Sequence, residues 1–263
     1  MIVFTAIAPH SPLLLPTIGK DHRKKLKKTL DAYQHIEGEL YASKPDTIVI
    51  ISPHGSVLPD AFPLFISPKY RANLKEFGDL STSLEFKSDL RLVEKLRRAR
   101  FGKTPTPITG VTDEFLDYGA TVPLFFLTAH IPNIPIVPLG ISHRSIKNHF
   151  SVGIQIGEIL KQTTKRVAVI GSADLSHTLT DAAPGGFSPE GKKFDEAIVQ
   201  ALRKDSRDAI LHLEKKAVEA KACGLGVIAL TLGIVNELNC TPKPLSYEGP
   251  FGVGYLVVNF NFR

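Results

Sequence analysis

Two histidines arrive in the same phrasing. Residues 2–12, IVFTAIAPHSP, run an apolar segment into Ala-Pro-His10, and residues 47–55, TIVIISPHG, run another into Ser-Pro-His54. Imidazole is the commonest neutral metal ligand, and a proline before it stiffens the backbone that must hold the ring. Each histidine alone also reads as an ordinary hydrogen-bonded loop or core residue. Taken together they suggest a shared metal, which requires their nearest ring nitrogens within roughly 3–4 Å if both bind at ligand lengths of about 2 Å. A third apolar run, RVAVIGSADLSH, ends on Ser172, Asp174 and His177. His177 reads as a third ligand, as a general acid/base or as a loop histidine, and Asp174 either orients it or caps the following helix.

Other stretches carry weaker signals. In DEFLDYGATVPLFFL (113–127), Asp117 and Tyr118 either cap a buried helix or make polar contacts to a substrate. In SYEGPFGVGYLVV (246–258), Gly249, Gly252 and Gly254 mark a tight turn before a final strand, and no helix pattern follows that would cradle a phosphate. The basic run KDHRKKLKK (20–28) opens a helical pattern and reads as a solvated face; no aromatic interleaving accompanies it to suggest nucleic acid.

The elements that must position these residues alternate. Apolar runs rich in Val and Ile occur at 2–8, 47–52, 134–141 and 167–171, and amphipathic helical patterns at roughly 20–42, 88–100, 145–162, 190–204 and 223–238. This alternation predicts an α/β fold, one domain over residues 1–263, with a largely parallel central sheet flanked by helices. Ligands gather at the carboxyl ends of strands in such sheets, where His10 and His54 fall. With 43% hydrophobic and 22% charged residues, the 263-residue chain has the composition of a folded globular protein. No apolar run reaches membrane-spanning length and the N-terminus lacks the features of a signal peptide, so a cytoplasmic location is expected. Two cysteines, Cys223 and Cys240, make neither a disulfide framework nor a paired-cysteine zinc motif.

Read in order, APHSP, ISPHG, DYGATVPL, GSADLSH, KACGLGVIAL and SYEGPFGVGYLVV resemble the class III extradiol ring-cleavage dioxygenase superfamily. More narrowly, they resemble the dioxygenase-like module of the AmmeMemoRadiSam system and the Memo-like proteins. The resemblance implies a mononuclear non-haem metal centre with His10 and His54 as ligands, and His177 as acid/base. Two departures matter. The family's Asp-His-Gly is Asp117-Tyr118-Gly119 here. Cys223 falls where the dioxygenases carry a metal-binding glutamate and Memo-like proteins a cysteine; a thiolate at a helix N-terminus is favoured by the dipole, though a small buried thiol also serves as a core residue. Glu248 is the carboxylate alternative, or else a wall of the pocket, and Cys240 lies at the far end of the same predicted helix.

The resemblance implies an oxidoreductase that opens a catechol-like ring with dioxygen, using Fe(II). Its rival is a Memo-like metal-binding protein that acts with partners in a radical or redox modification system without ring cleavage. A hydrolase with a metal-activated water would use the same pocket with zinc. Two histidines and a thiolate accept iron, copper or zinc. The implied partners are a small aromatic substrate or a protein of such a redox system, with no nucleic acid and no membrane; a homodimer is compatible with either.

Overall fold

The computed structural model describes residues 1–101, 104–105 and 107–263. Its principal strands are β1 (Ile2–Ala8), β2 (Thr47–Ser52), β3 (Phe62–Phe65), β4 (Lys69–Leu74), β5 (Asp79–Lys87), β6 (Ile108–Val111), β7 (Ile136–Gly140), β8 (Val167–Ser172), β9 (Cys240–Glu248) and β10 (Tyr255–Phe262). Its principal helices are α1 (Lys27–Ala42), α2 (Leu90–Arg97), α3 (Tyr118–Leu127), α4 (Ile146–Lys161), α5 (Pro189–Arg203) and α6 (Leu225–Ile234). Among the described residues, eight strands form one sheet in the order β9-β10-β1-β8-β2-β7-β3-β6. The middle four, β1, β8, β2 and β7, are parallel, and β10 pairs antiparallel with β1 and with the edge strand β9.

The apolar runs are unbroken because both faces of the sheet are covered. Side chains alternate across a strand, so Val49 and Ile51 of β2 enter one core and Ile48 and Ile50 the other. Val167 and Val169 of β8 likewise oppose Ala168 and Ile170. Helices α2, α4, α5 and α6 cover the first face, and α1, α3 and the β4–β5 hairpin cover the second. The helix starts follow local chemistry: the side chains of Asp89, Ser145 and Ser188 accept from backbone N–H groups in the first turns of α2, α4 and α5.

The structure departs from the sequence reading in three places. Residues 20–26 form a 3₁₀ segment before α1 begins at Lys27, with Lys24 and Lys27 paired to Asp21 and Asp31 at the surface. The hairpin β4–β5 has no counterpart among the predicted elements; its strands bury only one face, and its turn is a 3₁₀ segment closed by Gly78 in the left-handed region rather than an Asn-Gly pair. Cys240 is not on the last long helix, which ends at Ile234; it opens the edge strand β9. Among the described residues no helix is long and apolar enough to cross a membrane.

Helix α6, buried along its whole length, lies against α4 with backbone nearly touching backbone. A Cβ on Gly233 would stand 2.2 Å from the Phe150 carbonyl oxygen, and one on Gly153 2.3 Å from that of Leu230. Gly233→Ala is therefore expected to destabilise the fold by about 1–3 kcal/mol, read as a lower urea midpoint at unchanged slope. A variant as stable as the parent would mean that the two helices separate freely.

Candidate metal centre

The site follows from strand register. Ala8 pairs with Ser172, and Ile51 with Gly171, so the three neighbouring strands β1, β8 and β2 end level. Two residues past each end come His10, Asp174 and His54. With strands about 4.8 Å apart, residues at that common offset can converge over the carboxyl edge of the sheet. Cys223 joins them because the Gly224 N–H donates to the Asp174 carbonyl at 3.0 Å, docking the start of α6 on the β8 loop.

Among the described residues, His10, His54 and Cys223 bring one ligand atom each within 4.8 Å of one another. His10 Nε2 and His54 Nε2 are 2.9 Å apart, slightly closer than the sequence argument asks, and Cys223 Sγ is 3.5 Å from His10 Nε2. Glu248 is not brought to the cluster; its Oε1 accepts from the backbone N–H and hydroxyl of Thr29, both at 2.7 Å.

The hydrogen bonds around His10 fix its tautomer. The Ser172 hydroxyl donates to the Gly119 carbonyl, so at 2.8 Å from His10 Nδ1 it must accept, and Nδ1 carries the proton. The Nε2 lone pair is thereby aimed at the cluster. The His10 backbone N–H donates to Asp174 Oδ1 at 2.9 Å, so Asp174 orients His10 rather than His177 and caps no helix. Its other oxygen lies 3.6 Å from His10 Nε2, which is no ion pair while His10 is neutral.

His54 is held from the β2 side. Its N–H meets Ser52 Oγ at 3.3 Å, and Ser52 donates to Asp117 Oδ1 at 2.5 Å. Asp117 also caps α3 through the Ala120 N–H, as the capping reading expects; no substrate contact is needed to explain it. Tyr118 stacks on the His54 ring, centroids 4.4 Å apart and planes 21° from parallel, with its hydroxyl 3.0 Å from His54 Nε2. Phe77, at the tip of the β4–β5 hairpin, meets Tyr118 edge-on at 5.1 Å. His177 Nδ1 lies 3.1 Å from the Leu175 carbonyl, which can only accept, so Nδ1 carries a proton and Nε2 is the nitrogen left to exchange one.

Burial dominates the electrostatics. It pushes His10 down to about 3, helped by the charge of His177, and it pushes His54 down to about 3, helped by His10 and His177. Both rings are neutral at pH 7. Burial, then the Asp174 carboxylate, raises the Cys223 thiol well above its ordinary range. The dipole of α6 does not make a thiolate there; burial outweighs it, and the proton stays until a cation replaces it. Burial also raises Asp174. Two imidazole Nε2 atoms and a thiol converging on one point, His10 buried and the other two partly exposed, fit a soft or borderline divalent ion such as iron or zinc, at ligand lengths of about 2.0–2.3 Å.

Comparison with known proteins gives the chain a family. Residues 4–258 fit the model of a family described as the catalytic LigB subunit of aromatic ring-opening dioxygenase. The chain belongs to the LigB family. Protein CA_C1420 of Clostridium acetobutylicum is 28% identical over 261 residues, covering 96% of this chain and 56% of that protein. The chain thus spans little more than half the length of this relative. The crystal structure of an uncharacterized protein, JW3007, from Escherichia coli K12 superposes with a TM-score of 0.65 at 16% identity, covering 98% of this chain and 99% of that one, and shows the shared fold. LigB dioxygenases are metal-dependent, in keeping with the donor set here.

The sequence phrases that flagged the site contain His10, His54, Tyr118, Asp174, His177 and Cys223. They do not reveal the roles of Ser52, Ser172 and Phe77. The position of Ser172 as the last residue of a strand is the available signal; nothing in the sequence ties Phe77 to the site.

Proton release measures the donor set directly. With both imidazoles neutral and the thiol protonated, binding one Zn(II) is expected to release one proton, from Cys223, across pH 6–8, so that apparent affinity rises about tenfold per pH unit. Calorimetry in buffers of different ionisation heat checks the count; Cys223→Ser should abolish the release, and Glu248→Gln should leave it intact. Release of no proton by the parent protein would remove Cys223 from the site. Ser172→Ala is expected to weaken metal binding about 10–100-fold by freeing the His10 tautomer; unchanged affinity would refute the relay.

Proposed function

We propose that this LigB-family chain is a metal-dependent oxidoreductase that opens a catechol-like ring with dioxygen at the His10–His54–Cys223 centre. The observation that carries the reading is the pair of Nε2 atoms 2.9 Å apart, with a phenol hydroxyl 3.0 Å from one of them and His177 near enough to act electrostatically on both rings. Bound at the two imidazoles and the thiolate, Fe(II) would supply open positions for a catecholate and dioxygen and the charge that holds them together.

The chain's own groups do the rest. His177 Nε2 takes the proton from a substrate hydroxyl as it ionises. The Tyr118 hydroxyl, freed when His54 Nε2 turns to a cation, donates to an oxygen of the bound substrate. Burial raises the Tyr118 phenol above its usual range, which keeps it a donor throughout. Asp174 keeps the His10 backbone fixed while charge develops. Phe77 and Tyr118 pack edge-on along one side of the centre.

A second reading rests on a specific observation, the thiol in place of a carboxylate. In it the chain is a Memo-like metal-binding protein serving a partner in a radical or redox modification system, and the thiolate tunes an ion that does not open rings. Copper or zinc suits that reading as well as iron does.

The two readings part in one assay. Fe(II)-loaded protein is offered a panel of catechols in air, and both oxygen uptake and the yellow ring-opened product are followed. Under the first reading the parent protein turns over, and His177→Ala keeps its fold and metal while losing about a hundredfold or more in rate. Fully loaded parent protein that consumes no oxygen with any catechol would leave the Memo-like reading standing. Undiminished turnover in His177→Ala would remove His177 from the mechanism.

A further inference from the structure

A buried carboxyl outside the metal cluster has no part in the chemistry above. Asp195, in the middle of α5, is fully buried. Its Oδ1 accepts from the Ser176 backbone N–H at 2.9 Å, and its Oδ2 from the Tyr247 hydroxyl at 2.7 Å. Among the described residues it forms no ion pair. Burying a carboxyl without a cation is costly, so its two hydrogen bonds must fix something that the fold uses.

What they fix is the loop after β8. Leu175 N–H donates to the Gly254 carbonyl and Gly254 N–H to the Ser176 carbonyl, both at 2.8 Å, so the loop is bonded to the start of β10. That contact brings Gly254 so near to α5 that a Cβ there would stand 2.1 Å from Asp195 Oδ2. Ser176 is therefore held between β10 and Asp195, while Tyr247 ties Asp195 to β9. Two residues back along the same loop, Asp174 holds the His10 N–H through its carboxylate and the Gly224 N–H through its carbonyl. One residue on lies His177.

The structure assigns to Asp195 the role of a positioning residue for the metal centre: by clamping Ser176 it sets where Asp174 stands, and through Asp174 the placement of both His10 and Cys223. The inference rests on reading His10, His54 and Cys223 as metal ligands. Burial raises the Asp195 carboxyl to about 7, in keeping with a group retained for its acceptors and not for its charge.

The test uses Co(II) as the probe, with chelator competition for affinity and the thiolate-to-cobalt absorption band for geometry. Asp195→Ala is expected to bind Co(II) about tenfold more weakly, with a weakened band. Asp195→Asn, whose amide oxygen still accepts from Ser176 and whose amide nitrogen can donate to Tyr247, should restore both. Tyr247→Phe, which leaves the Ser176 acceptor but frees its other oxygen, should lose about threefold. Wild-type affinity and spectrum in Asp195→Ala would overturn the assignment. Should that variant fail to fold, Tyr247→Phe decides, and an unchanged constant there overturns it. Amide exchange of Ser176 and His177 separates this proposal from the metal reading. If the parent protein binds no Co(II), the metal centre is wrong, and unchanged exchange in Asp195→Ala and Tyr247→Phe would remove the clamp as well. Faster exchange in Asp195→Ala, reversed in Asp195→Asn, supports it.

Discussion

Three parallel strands that stop at the same level are the constraint on which the rest depends. Because Ala8 pairs with Ser172 and Ile51 with Gly171, the loops of β1, β8 and β2 leave the sheet side by side. A slip of one residue in either pairing would turn a strand's apolar set over and carry its polar residue away from the others. The register is secured by cores on both faces, so the aim of His10 and His54 is fixed by side chains far below them. The site is rigid because the sheet is.

Desolvation then decides what the site accepts. A buried imidazole is held neutral and a buried thiol protonated, since neither charge has water to stabilise it. His10 and His54 obey this, and so does Cys223, despite its place ahead of a helix. Without a cation, two nitrogens 2.9 Å apart must have a proton between them. A divalent ion resolves that conflict and the thiol proton together. The hydrogen bonds that Ser172, Asp174 and Ser52 accept from the two histidines, and that Asp117 accepts from Ser52, serve the same end, since each removes a rotation that binding would otherwise have to freeze.

Much of this is legible in the order of residues. The four parallel strands announce themselves as apolar runs because a strand covered on both faces has no polar side to alternate with. Proline before each histidine marks the strand ends. The edge elements are harder. Strand β3 contains Pro63, and β4 reads as exposed-buried alternation over only six residues, so neither is distinctive alone. Sequence distance pairs Asp174 with His177, three residues away, whereas the level strand ends pair it with His10 across the sheet. The sequence leaves Cys223 between a dipole-favoured thiolate and a small buried thiol, because the choice turns on burial, which a one-dimensional pattern does not display.

The central claim is that one divalent ion sits on two imidazoles and a thiolate, and X-ray absorption at the metal edge of the loaded protein tests it most directly. Zinc-loaded protein is expected to show two nitrogen scatterers with imidazole outer shells at about 2.0–2.1 Å and one sulfur at about 2.3 Å. A spectrum with no sulfur scatterer, or with a single imidazole, would contradict the placement of Cys223 or of the paired histidines.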